Sequence, residues 1–349
     1  MSPQTPIRSS ALREAFTSGA RLGCYEIVSL LGAGTMGEVY RALDTKETRQ
    51  VALKILLGTG ELNPGRLASF LREAQILASV SHPNIAAIYG VEEFEIGPAL
   101  VLELVEGPTL ADRIVNGMMP LTTSLSIASQ LTAAVEAVHE RGVIHRDLKP
   151  GNVMVTSNGI VKLVDFGVAT TMAEQMKQRQ SHATDYGIAS AESGVIVGTP
   201  SYMSPEQTRG ECVDQRTDIW ALGCVLYELV TGARAFAGET MVDTFAAVRD
   251  REPDLRRVHS SLPTCVCELL RACLEKKVNR RLRDIVGART AIEEARQVVE
   301  RSFRGPRSRA LTTSQGAKRR PRELSRADSV PCRPSRPSLS GSCYLAANA

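Results

Sequence analysis

The chain has 349 residues, 43% hydrophobic and 23% charged, a balance ordinary for a globular protein and long enough for one large domain or two lobes. Its net charge of +4 is uneven: eleven Lys and Arg against Glu323 and Asp328 give residues 301–349 a charge of +9, leaving −5 for the first 300. A slightly acidic body argues against specific nucleic-acid binding, and the eight cysteines, with no CxxC pair, fit neither a zinc site nor a dense disulfide framework. They predict reduced thiols and a cytoplasmic location. No run of 18 apolar residues exists. The nearest, IWALGCVLYELV at 219–230, carries Glu228 and reads as a buried helix, so no transmembrane segment is expected. The opening MSPQTPIRSSALREAF lacks the apolar stretch of a signal peptide.

From Tyr25 to Glu103 the chain reads as short strands: YEIVSLL, EVYRAL, QVALKIL, NIAAIYGV and ALVLEL, separated by Gly, Asp, Asn or Pro. One helix interrupts them over 65–80, where Leu67, Phe70, Leu71, Ala74, Leu77 and Ala78 recur at helical spacing. After Gly107 helices dominate. Leu125, Ala128, Leu131, Val135 and Val138 form one apolar stripe, and Gly142 stands where a C-terminal cap belongs. Further helical segments fall around 215–231, 239–250, 262–274 and 284–300. From Arg304 onward Arg, Ser, Pro and Gly take over and periodicity disappears, which predicts a disordered end. Its basic charge also suits contact with nucleic acid or an anionic membrane, but a solvated tail is the favoured reading.

Four stretches carry chemistry. LLGAGTMGEV at 30–39 places glycines 32, 34 and 37 between two strand patterns, where the turn is either an ordinary hairpin or a flap whose backbone N–H groups cover phosphates. A dinucleotide-binding turn would need a helix after it. Lys54, in the apolar strand VALK, is a snorkelling edge residue or a cation needing a partner, and Glu73 on the 65–80 helix offers one. HRDLKPGN at 145–152 crowds charge into eight positions, and Asp165-Phe166-Gly167 follows Asn152 at the end of the strand VKLV. Asn152 and Asp165 supply the hard oxygen ligands that Mg²⁺ prefers beside phosphates. The ordered series of glycine flap, VALK, helix Glu, HRDLKPGN and DFG is strongly specific.

From about Tyr25 to Val299 the chain resembles the eukaryotic-like (Hanks-type) Ser/Thr protein kinases of bacteria, on GAGTMGEVYRALD, HRDLKPGNVMV, GTPSYMSPEQ and TDIWALGCVLYELVTG. The resemblance implies an α+β, two-lobed kinase fold: a small antiparallel β-rich N-lobe with one main helix, and a larger, mainly helical C-lobe. Its parts would be an extension at 1–24, the N-lobe at 25–105, the C-lobe at 106–300 and the basic tail at 301–349. It implies ATP and Mg²⁺, with Mn²⁺ as a possible substitute. Gly32, Ala33, Gly34, Gly37, Val39 and Ala52 would enclose the nucleotide. Lys54, braced by Glu73, would hold the α/β-phosphates. Leu102 matches the gatekeeper, and Glu103 to Val105 the hinge that meets adenine. Asp147 would accept the substrate's hydroxyl proton, Lys149 would neutralise the γ-phosphoryl group, and Asn152 and Asp165 would bind metal. Thr199 would bridge Asp147 and Lys149, Glu206 would pair with Arg281, and Asp218 would brace the 145–147 turn.

Arg146 before Asp147 marks kinases switched by phosphorylation, and the 42-residue segment from Asp165 to Glu206 holds candidate hydroxyls at Ser193, Ser190 and Thr184. The expected activity is phosphoryl transfer from ATP to Ser/Thr of protein substrates in signal transduction, with dimerisation a route to autophosphorylation. A pseudokinase scaffold and a small-molecule phosphotransferase are the competing classes. The presence of Lys54, Glu73, Asp147, Asn152 and Asp165 argues against the first, and the peptide-docking GTPSYMSPE segment against the second.

Overall fold

The computed structural model describes residues 16–34, 37–56, 72, 74–165, 200–257 and 262–303. Six strands form one sheet: β1 (Arg21–Leu22), β2 (Tyr25–Gly34), β3 (Gly37–Asp44), β4 (Arg49–Leu56), β5 (Ile88–Phe94) and β6 (Gly97–Glu103). Their spatial order is β1-β2-β3-β4-β6-β5, with every neighbouring pair antiparallel. Alternation sorts their side chains onto two faces. Ile27, Tyr40, Ala42, Val51, Leu53, Ile55, Ala99 and Val101 form a closed apolar core on one face. Val39, Arg41, Ala52, Lys54, Leu100 and Leu102 take the intervening positions and line a cavity on the other. Residues 74–78 are helical, and Ala74 and Leu77 reach the same cavity.

The strand expected from Asn84 begins only at Ile88. The Asn84 amide donates instead to the Val161 carbonyl and to Gln130 Oε1, both at 2.9 Å, which turns this segment toward the second half of the molecule. There the chain forms α1 (Leu110–Val115), α2 (Leu121–His139), the hairpin of β7 (Val153–Val155) and β8 (Val161–Leu163), α3 (Pro205–Thr208), α4 (Arg216–Thr231), α5 (Met241–Asp250), α6 (Thr264–Cys273) and α7 (Ile285–Phe303). The short helices α1 and α3 lie outside the sequence expectation. Each opens on a capping box, Thr109 with Asp112 and Ser204 with Gln207, which satisfies the first amides where periodicity has no room to show.

Helix α4 is buried from Thr217 to Val230, as its continuous apolar run requires. It ends on Gly232 at φ 68°, a left-handed cap. The α2 stripe of Leu125, Ala128, Leu131, Val135 and Val138 packs into the same core as α4. The two halves meet along β8, where Leu163 N–H donates to Asn84 C=O at 2.8 Å and Ala86 N–H to Leu163 C=O at 3.0 Å. Among the described residues no helix is long and apolar enough to cross a membrane, and the six cysteines are free thiols. The basic tail from residue 304 lies outside the described residues.

Candidate active site

Between the sheet and the 151–165 segment lies a cavity of about 540 Å³. Gly32, Val39 and Ala52 form its roof, Leu102, Glu103 and Val105 one wall, and Met154, Val164 and Asp165 its floor. Ala33, Gly34 and Gly37 stand at the turn end of the β2–β3 hairpin, where Gly34 pairs with Gly37. Gly37 has φ 150°, a conformation open to glycine. Thr35 and Met36 lie outside the described residues.

Glu103 lines the cavity. Its N–H donates to Ala87 C=O at 2.8 Å. Its carboxylate points toward β8, accepting from Lys162 Nζ at 2.8 Å and from Ala87 N–H at 3.0 Å. Lys162 is missed by sequence reasoning, although its place between buried Val161 and Leu163 is a signal that it faces away from the core.

Lys54, 6% exposed on β4, forms an ion pair with Asp165 Oδ1. These two residues are 111 positions apart. Glu73, the partner expected for Lys54, lies outside the described residues. Asp165, which lines the cavity, has φ 57°, a strained angle for a non-glycine residue. Asp147 Oδ2 accepts from Lys149 Nζ at 2.6 Å and from Asn152 Nδ2 at 3.0 Å. The same Asn152 nitrogen donates to Asp147 C=O at 2.8 Å and to Asp165 C=O at 3.4 Å. Because that nitrogen is committed, the amide oxygen is the atom Asn152 can give to a cation. One carboxylate and one amide oxygen fit a hard divalent ion that completes its shell with phosphate oxygens and water. Among the described residues no group of three or more His, Cys, Asp and Glu is placed to hold a metal unaided.

Below this cluster Asp218, fully buried in the first turn of α4, accepts from His139 Nε2 at 2.7 Å and from the amides of His145 and Arg146, each at 2.8 Å. Burial opposes its ionisation, but those hydrogen bonds and the neighbouring imidazoles win and hold its carboxyl below the usual range. Burial keeps the His145 imidazole below its ordinary value against the pull of Asp218 and Asp147. Arg146 has φ 65°, and its carbonyl accepts from Gln207 Nε2 at 2.8 Å. Gln207 is a second residue that sequence reasoning passed over; the Ser-x-x-Gln capping box was its only mark. Glu206 and Arg281 form a two-armed buried pair at 2.6 and 2.9 Å. Thr199, Ser193, Ser190 and Thr184 lie outside the described residues.

The model of the protein kinase domain matches residues 25–302. The chain is 41% identical over 226 residues to a probable serine/threonine-protein kinase SCO3848 of Streptomyces coelicolor, covering 63% of this chain and 32% of that protein. It is 39% identical over 223 residues to the serine/threonine-protein kinase PknB of Mycobacterium leprae, 62% of this chain and 34% of the relative. With PknB of Mycolicibacterium smegmatis the match is 37% over 263 residues, 73% and 40% of the two chains. The chain thus spans about a third of the length of these relatives. With Lys54 and Asp165 lining a cavity between a β-sheet and a helical half, Asn152 linking Asp165 to Asp147, and a family match across most of its length, the chain belongs to the protein kinase family.

Proposed function

We propose that the chain is an ATP- and Mg²⁺-dependent kinase that phosphorylates Ser and Thr hydroxyls of proteins. The observation that carries this reading is that Lys54 and Asp165 line the cavity and are linked to Asp147 and Lys149 through the pairs Lys54–Asp165 and Asp147–Lys149 and the amide of Asn152. Phosphoryl transfer asks for positioning and charge neutralisation rather than covalent help, and these are cations and carboxylates held by fixed partners. Lys54 is poised for the α/β-phosphates. Asp147 has Oδ2 occupied by Lys149 and Asn152, which leaves Oδ1 to orient the substrate hydroxyl and take its proton. Lys149 then faces the transferring group. Asn152 and Asp165 would hold Mg²⁺, whose charge neutralises phosphate oxygens, with Mn²⁺ a tolerated substitute. Leu102 would limit depth, and the Glu103 carbonyl with the Val105 backbone would meet adenine.

Lys149, two residues after Asp147, supports Ser/Thr over Tyr acceptors. Purified protein with labelled ATP, Mg²⁺ and a generic protein acceptor tests the reading: label should appear on Ser and Thr and vanish in Asp147→Asn. Tight ATP binding without transfer would sink it. For regulation, the proposed device is autophosphorylation between residues 170 and 199, foremost at Ser193 and then at Ser190 and Thr184. It is supported by Arg146 beside Asp147 and by the bond from Gln207, just beyond that segment, to the Arg146 carbonyl. Mass spectrometry after incubation with Mg-ATP checks it, and an active enzyme with no phosphate in 170–199 rules it out. Dimerisation would bring the segments of two copies together, and cytoplasmic residence remains the proposed setting.

A further inference from the structure

An ionic contact lies at the rim of the cavity. Arg41 Nη2 lies 3.1 Å from Glu106 Oε1, and both residues line the cavity. They come from opposite sides of it. Arg41 sits on β3, two residues past Val39 on the same face, so it moves with the glycine hairpin. Glu106 follows the hinge and is anchored from below. Its neighbour Gly107 adopts φ 144° against the backbone of Val155, and Val155 N–H donates to Pro108 C=O at 3.0 Å. A side chain on residue 107 would collide with β7, so the Glu106 backbone has little room to drift. The Glu106 side chain is 77% exposed and that of Arg41 31%, which puts the pair at the mouth rather than in the apolar interior.

Apart from the covalent hinge, this ion pair ties the β2–β3 hairpin to the segment that carries α1. A planar ligand seated between Ala52 and Met154 would lie in the same cavity that this pair lines. We propose that Arg41 and Glu106 form an inter-lobe latch that sets how long the nucleotide stays bound. This inference rests on the nucleotide-site reading above and adds to it two residues with no part in phosphate or metal binding. An exposed pair is weak and screened by salt, so its signature is a modest rate effect that salt removes, not a loss of function.

The test is stopped-flow release of a fluorescent ADP analogue from wild type, Arg41→Glu, Glu106→Arg and the double variant that exchanges the two charges. Each single variant should release the analogue about two- to fivefold faster, and the exchange should restore the wild-type rate. Raising salt to about 0.5 M should bring all four together. The exchange variant guards against misfolding, because a rate restored by a second change cannot come from a damaged fold. Single variants with wild-type release rates, or an exchange that restores nothing, overturn the latch while leaving the nucleotide site intact. A wild-type protein that binds no analogue overturns the nucleotide site itself and the latch with it.

Discussion

Asp218 Oδ1 accepts the amide hydrogen of Arg146 at 2.8 Å, at the residue where the chain enters the left-handed region. A buried carboxylate from α4 therefore holds open a backbone turn that an arginine would not adopt unaided, and Asp147 stands at its end. His145 N–H and His139 Nε2 occupy the other oxygen of the same carboxylate.

Asp218→Asn replaces one acceptor with a donor facing N–H groups, so two backbone donors compete for a single oxygen. We expect a stability loss of about 1–3 kcal/mol and a fall in kcat, because Asp147 loses its support. The depressed carboxyl gives the sign of the pH effect. Its contribution is full above the unfolded value of about 3.9 and is lost as pH falls toward the lower folded value. Thermal melts should show wild type losing its advantage over the variant only below about pH 4.

Glu206 and Arg281 are 3% and 0% exposed in their side chains. Removing either partner leaves a buried charge, so Glu206→Ala or Arg281→Ala should each cost about 3–5 kcal/mol in denaturant unfolding. The double change Glu206→Leu with Arg281→Met should cost less than the single changes added together.

Asp147→Asn keeps the shape of the side chain but not its basicity. The turnover of protein substrate should fall about 10²–10⁴-fold. Nucleotide affinity, measured by calorimetry, should stay near wild type, since the residue faces the acceptor hydroxyl. A parallel loss of nucleotide binding would mean that the change damaged the cavity.

Lys276 lies with Nζ 3.9 Å from the Phe236 ring centre and 4.9 Å from that of Trp220, and donates to Val248 C=O at 2.7 Å. Burial pushes its ammonium down to about 8, while Glu252 and the ring faces favour the cation. Because the folded value is the lower one, the unfolded chain holds more protons between about pH 8 and 10.5, and stability contributed by this site rises across that window. Melts of wild type and Lys276→Met should diverge in favour of wild type as pH increases from 8. A difference that does not change with pH would refute this.

The fold class was legible because each half repeats one period over many residues. The α2 stripe from Leu125 to Val138 and the alternation through Tyr40, Ala42, Val51 and Leu53 are local patterns with one buried solution each. The short pieces α1, α3 and β7 were hidden, since three to six residues cannot display a period, whereas β8 was legible as VKLV. They form because caps and neighbours satisfy their ends. Asn84 showed the opposite failure: its surroundings looked like a strand, and one buried amide redirected it.

From the chain alone came the local chemistry. Asp147, Lys149 and Asn152 lie within six residues, and a tight turn brings such near neighbours together whatever the rest of the molecule does. Tertiary structure decided the pairings across distance. Lys54 meets Asp165 over 111 positions and Arg41 meets Glu106 over 65, whereas the reach of Asp218 to the 145–147 turn was already implied by the family resemblance. Such contacts depend on how the sheet, α4 and the β7–β8 hairpin pack, and packing is set by the sum of many weak burials rather than by any motif.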